Sequence, residues 1–150
     1  MKKTLRRGFT LIELLIVITV ISILGAVAFV AIDPATRINQ AQDSERWSAA
    51  NAVMDAFLNS TVDNDGTYPA GVSADGTVHM IASTSSACTS CSADQCTDFD
   101  ELVTAGYIAD LPIDPDGSSE GTGYTLAVNT NGIVTVTSCG AETDTIEVAR

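Results

Sequence analysis

A chain of 150 residues with a formal net charge of −12, seven basic side chains against nineteen acidic ones, repels phosphate backbones, which argues against any nucleic-acid partner. The cations are also badly placed for one: Lys2, Lys3, Arg6 and Arg7 crowd the start, and from Ser48 to Ala149 no Lys or Arg faces the fifteen Asp and Glu. With a single histidine and no glycine-rich phosphate loop, no Ser/His/Asp or Cys/His set can be assembled, and the chain is not expected to be an enzyme.

The first element is an apolar run from Phe9 to Ile32, 24 residues with one charge, Glu13. As a helix at ~1.5 Å per residue it is ~36 Å long, enough to cross a ~30 Å hydrocarbon core with some tilt. Four cations ahead of it place the N-terminus in the cytoplasm and the C-terminus outside, the topology of a single-pass protein of the cytoplasmic (inner) membrane. The apolar stretch of a secretory signal is shorter, ~7–15 residues, and a plain anchor needs no glutamate. An ionisable group inside a membrane helix is costly and is read as functional by default.

Gly8-Phe9-Thr10-Leu11-Ile12-Glu13, behind the basic leader and opening the apolar run, resembles the processing site of type IV prepilins and type II secretion pseudopilins. The resemblance covers the leader and the apolar run and is looser beyond them. It implies cleavage between Gly8 and Phe9 by a membrane peptidase and methylation of the new Phe9 amine. Residues 1–8 would then be a leader, 9–32 a transmembrane and filament-core helix, and 33–150 an extracytoplasmic head that includes the amphipathic half of the long helix. The implied fold is α+β, a long N-terminal helix packed on a small antiparallel sheet. The implied partners are a prepilin peptidase, a pilus or secretion assembly platform, the membrane, and further copies of the chain in an extracellular helical filament. The physical chemistry agrees. Glycine, lacking a Cβ, lets a peptidase approach the backbone. Once cut, Phe9 carries an ammonium that Glu13 of a neighbouring copy can pair, offsetting the cost of both charges leaving water and setting register. Three uses remain open: a type IV pilus serving adhesion or motility, a major pseudopilin of type II secretion, and a membrane-anchored binding domain that does not polymerise.

After the span, Gly25 weakens the helix and Asp33-Pro34 kinks or restarts it, Asp33 capping and Pro34 standing first. From Ala35 to about Asn59 the pattern is amphipathic. Ile38, Ala41, Ala49, Ala52, Val53, Ala56 and Phe57 form a stripe expected to face the head's sheet. Trp47, Ala50, Met54 and Leu58 form an adjacent stripe, either the edge of one wide core face or a surface for a neighbouring copy. Asn64-Asp65-Gly66 ends the helix. Thr77–Ile81 reads as a strand, with His79 a surface or packing residue. Asp98 and Glu101 are spaced for a capping box, and Gly106 closes that short helix. Tyr124–Val128 and Ile133–Thr137 read as a hairpin around Asn129-Thr130-Asn131-Gly132, and Ile146–Val148 as an edge strand.

Cys88, Cys91, Cys96 and Cys139 all lie beyond the membrane helix, where an even count in a small domain predicts two disulfides with three pairings open. Cys139 should tie the C-terminal strands to the Cys88–Cys96 loop. Zinc is the rival reading, since Cys88-x-x-Cys91 is a metal spacing and Cys96, Cys139 or His79 could complete a set. Tyr107–Gly117 resembles the turn before the sheet in major pseudopilins, some of which bind calcium. Asp114 and Asp116 offer hard oxygen ligands there, although Asp116 stands where that pattern has an aromatic residue. No cofactor is expected beyond such a structural calcium.

Overall fold

The computed structural model describes residues 8–83, 91–116 and 121–150. The chain divides into two compact units, one ending at Ile38 and one from Asn39 to Arg150. In the first, helix α1 spans Leu11–Ile32 and every one of its side chains is exposed. Asp33 then takes a left-handed backbone (φ +43°), uncommon for any residue but glycine, asparagine or aspartate. Pro34 starts helix α2, Pro34–Asp63. The Asp33 carbonyl accepts from the Arg37 amide at 3.3 Å and its carboxylate from the Thr36 hydroxyl at 2.7 Å, so the helix stops and restarts at this residue.

The head carries a five-stranded sheet in the order β2-β1-β3-β4-β5, made of β1 (Val78–Ala82), β2 (Gln95–Asp98), β3 (Tyr124–Val128), β4 (Val134–Ser138) and β5 (Glu147–Ala149). Three pairings are antiparallel, but β1 and β2 run parallel, so the sheet is mixed rather than wholly antiparallel. The β3–β4 hairpin follows from period-two alternation: Tyr124, Leu126 and Val128 face Ser138, Val136 and Val134 across the ladder and point to one side. At its turn the Asn129 side chain accepts from the Asn131 and Ile133 amides, and Gly132 takes the positive φ that closes it.

Against that face of the sheet lies α2 through Ala50, Val53, Met54, Ala56 and Phe57, with Phe99, Leu102 and Ile146 sealing the rim of one core. The helix face is the wide one: Ala50 and Met54 are fully buried, while Ile38, Ala41, Ala52 and Trp47 of the two predicted stripes are exposed. The reason lies at the N-terminal end of the head's helix, where Asp43 and Arg46 take the inward positions in place of apolar residues. Helix α3 (Asp100–Thr104) forms as expected and Gly106 ends it at φ +84°, but the predicted capping box does not. Phe99 is the N-cap, Asp98 accepts from the Asp100 amide, and Glu101 reaches across to the Ala70 amide at 3.2 Å.

Candidate functional site

The N-terminal motif is organised by local hydrogen bonds. Thr10 caps α1: its hydroxyl oxygen accepts from the Glu13 amide at 3.2 Å, while Glu13 Oε2 accepts from the Thr10 amide at 2.9 Å and the Thr10 hydroxyl at 2.8 Å. This is the reciprocal capping box that a Thr-x-x-Glu spacing allows, a role for Glu13 that its place in the apolar run had hidden. Both Thr10 donors use one carboxylate oxygen; among the described residues no donor reaches Oε1. Gly8 and Phe9 are exposed, and a Cβ built at Gly8 or at Gly25 would meet nothing within 4 Å. Nothing among the described residues therefore demands glycine at either position. From Leu11 onward the helix is apolar on every side and long enough to cross a membrane. A helix of that kind is stable only when lipid or protein surrounds it.

A second constellation, absent from the sequence reading, lies in the head. Arg46 is fully buried and donates to three carboxylates: Nη1 to Asp43 at 2.9 Å, Nε and Nη2 to the two oxygens of Asp114 at 2.8 and 2.9 Å, and Nη2 to Asp116 at 2.7 Å. Asp114 also accepts from the Ser138 hydroxyl and the Asp116 amide, and Asp43 from the Glu142 and Thr143 amides and the Thr143 hydroxyl. The guanidinium thus ties α2 to the loop before β3, and through Asp114 and Asp43 the same cluster reaches the end of β4 and the loop before β5. Its fork matches paired carboxylates, which a lysine would not. The Thr143 hydroxyl, the Glu142 and Thr143 amides and Arg46 hold the Asp43 carboxyl well below the usual carboxylate range, against its burial. Burial pushes Asp114 up, but Arg46, the Asp116 amide and Ser138 outweigh it and leave that group low. Beside them burial raises the Tyr124 phenol to about 12, and its hydroxyl has no partner among the described residues.

Asp114 and Asp116 were expected to offer oxygen to calcium. Both oxygens of Asp114 are already held by Arg46, with Ser138 and an amide adding to them, so Asp114 has no oxygen to spare for a cation, while Asp116 gives one oxygen to Arg46 and is half exposed. The only local signal for this arrangement was that Arg46 is one of three cations after the leader and follows Asp43 by one helical turn.

Cys91 and Cys139 form a disulfide with Cα atoms 5.7 Å apart, joining the segment before β2 to the end of β4. Cys96 is disulfide-bonded too, so none of these three is a thiolate ligand for zinc; the pairing of Cys88 lies outside the described residues. His79 is buried in β1, with Nδ1 2.8 Å from the Thr97 hydroxyl of β2, a partner that the sequence did not suggest.

Residues 3–29 match the family of the prokaryotic N-terminal methylation motif. No curated protein and no solved structure matches the chain. Taken with the self-capped Glu13 and the uncovered apolar helix, this match marks residues 3–29 as carrying the signature of type IV pilins and pseudopilins, on a chain whose fold is α+β and pilin-like in architecture.

Proposed function

We propose that the chain is the structural subunit of an extracellular helical filament, cut by a prepilin peptidase after Gly8, methylated at Phe9 and polymerised through α1 as a type IV pilus. The observation that carries this reading is Glu13: a carboxylate in an otherwise apolar, wholly uncovered helix, with one oxygen bonded inside its own chain and the other without a donor among the described residues. Before assembly the capping box lowers the cost of holding that charge near lipid. In the filament the second oxygen accepts from the Phe9 ammonium of a neighbouring copy, which fixes the axial offset of adjacent helices. The acidic heads, lying outside the helical core, keep the fibre soluble and draw counterions between subunits.

A major pseudopilin is the second reading, favoured by the Tyr107–Asp116 stretch. Deleting the gene and scoring surface fibres and secreted proteins separates the two, since loss of fibres with secretion intact supports the pilus. The shared reading is tested by mass spectrometry of the mature N-terminus and by Glu13→Val. Chains that remain uncut, or Glu13→Val chains that polymerise as well as the native one, would sink it and leave a solitary membrane-anchored domain.

A further inference from the structure

We propose that His79 is an acid-sensitive latch on the β1–β2 edge of the head, holding the parallel strand in place when neutral and releasing it when protonated. The proposal concerns the head alone and stands whichever filament, if any, the chain builds.

The geometry is specific. His79 lies opposite Leu126 across the β1–β3 ladder, so its side chain points to the core side of the sheet, and only 4% of the residue is exposed. On the other flank the parallel register sets it beside Gln95, and its Nδ1 meets the Thr97 hydroxyl at 2.8 Å. Nε2 is buried without a partner among the described residues. A neutral imidazole that shares Nδ1 with Thr97 and leaves Nε2 unprotonated strands only a weak acceptor. The imidazolium adds a charged N–H at Nε2 with no hydrogen-bond acceptor for it among the described residues, a far costlier group to bury.

Two carboxylates act on this ring through their charge, Asp75 from the turn before β1 and Asp94 from the segment before β2. Neither is idle. Asp75 accepts from the Thr77 amide at 2.8 Å, and Asp94 accepts from the Val78 amide at 2.9 Å while its own amide donates to the Val78 carbonyl. Asp94 is therefore the first rung of the β1–β2 pairing. A proton on His79 attracts both carboxylates by charge, and that pull works against the Thr77 and Val78 amides they hold at the start of β1. Burial, the larger influence, pushes the imidazole below its ordinary value, and the two carboxylates recover part of the difference. A group whose folded value is depressed stabilises the fold above its unfolded value of ~6.5, and that contribution fades as pH falls through the folded one.

Because the chain has one histidine, its ring signals in an NMR titration of the full chain in detergent micelles need no assignment. Amide-exchange protection factors for Met80 and Thr97, corrected for intrinsic rates, are measured at each pH of the same titration, from neutral down to the completion of the ring's transition. We expect a midpoint below ~6.5 and protection that falls about tenfold or more with the same midpoint, while His79→Gln stays flat. A midpoint at or above ~6.5, or protection that falls equally in His79→Gln, overturns the latch. Should His79→Gln fail to fold, the native chain still decides: protection unchanged as the ring titrates overturns the proposal, and loss in step with the ring supports it.

Discussion

Arg46 and Glu13 are each a charge in apolar surroundings, and the two units of the molecule treat them in opposite ways. Arg46 is fully enclosed and every carboxylate it touches belongs to its own chain. Glu13 stands on a helix with no covered side chain, its one oxygen capped by Thr10 and the other free of donors among the described residues. A charge satisfied internally serves the fold. One satisfied by half is suited to a second molecule, which is the assembly role proposed for Glu13.

The largest expected effect breaks the Glu13 side. Glu13→Val should abolish fibres seen by electron microscopy while leaving the head's unfolding midpoint unchanged. Next, Arg46→Ala should cost the head about 3–5 kcal/mol in denaturant unfolding, because Asp114 is left buried and unpaired. Adding Asp114→Asn should restore part of that loss, which a purely steric defect would not allow. Third, replacing Cys91 and Cys139 together by serine opens a loop of 48 residues' separation and should cost roughly 2–4 kcal/mol, measured the same way. Fourth, with the carboxyls of Asp43 and Asp114 held low in the fold, the stability they contribute is complete above their unfolded value near pH ~4 and is lost as pH falls from there through their lower folded values. A thermal series should show this acid step in the native chain and a smaller one in Asp114→Asn. The smallest effect is an absence of change: calcium, or its removal by EDTA, should leave the midpoint where it is, since Arg46 already holds the oxygens.

What could be read in advance was what local pattern determines. The apolar span, the β3–β4 hairpin around Asn129–Gly132, β1 and the restart at Asp33-Pro34 all announce themselves within a few residues. Strand β2 does not, because Gln95-Cys96-Thr97-Asp98 has no alternation and gains its place by parallel pairing to β1 and through Thr97 on His79. The Arg46 cluster was illegible for a related reason. Asp114 looked like a metal ligand because its loop is local, whereas its true counter-charge sits 68 residues earlier on a helix. Glu101 shows the same limit, its capping-box spacing overridden by an amide from another segment.

Gly140 shows how far that cluster reaches. Its backbone is ordinary, yet a Cβ there would fall 2.7 Å from one oxygen of Asp114 and 2.8 Å from the other. What keeps the position free of a side chain is the bulk of an anion, and the anion is kept by a cation on a distant helix. In lineages descended from this chain, Arg46, Asp114 and Gly140 should therefore mutate as a set, and alanine at the last of them would be tolerated only where the first two had already been exchanged for something smaller and uncharged.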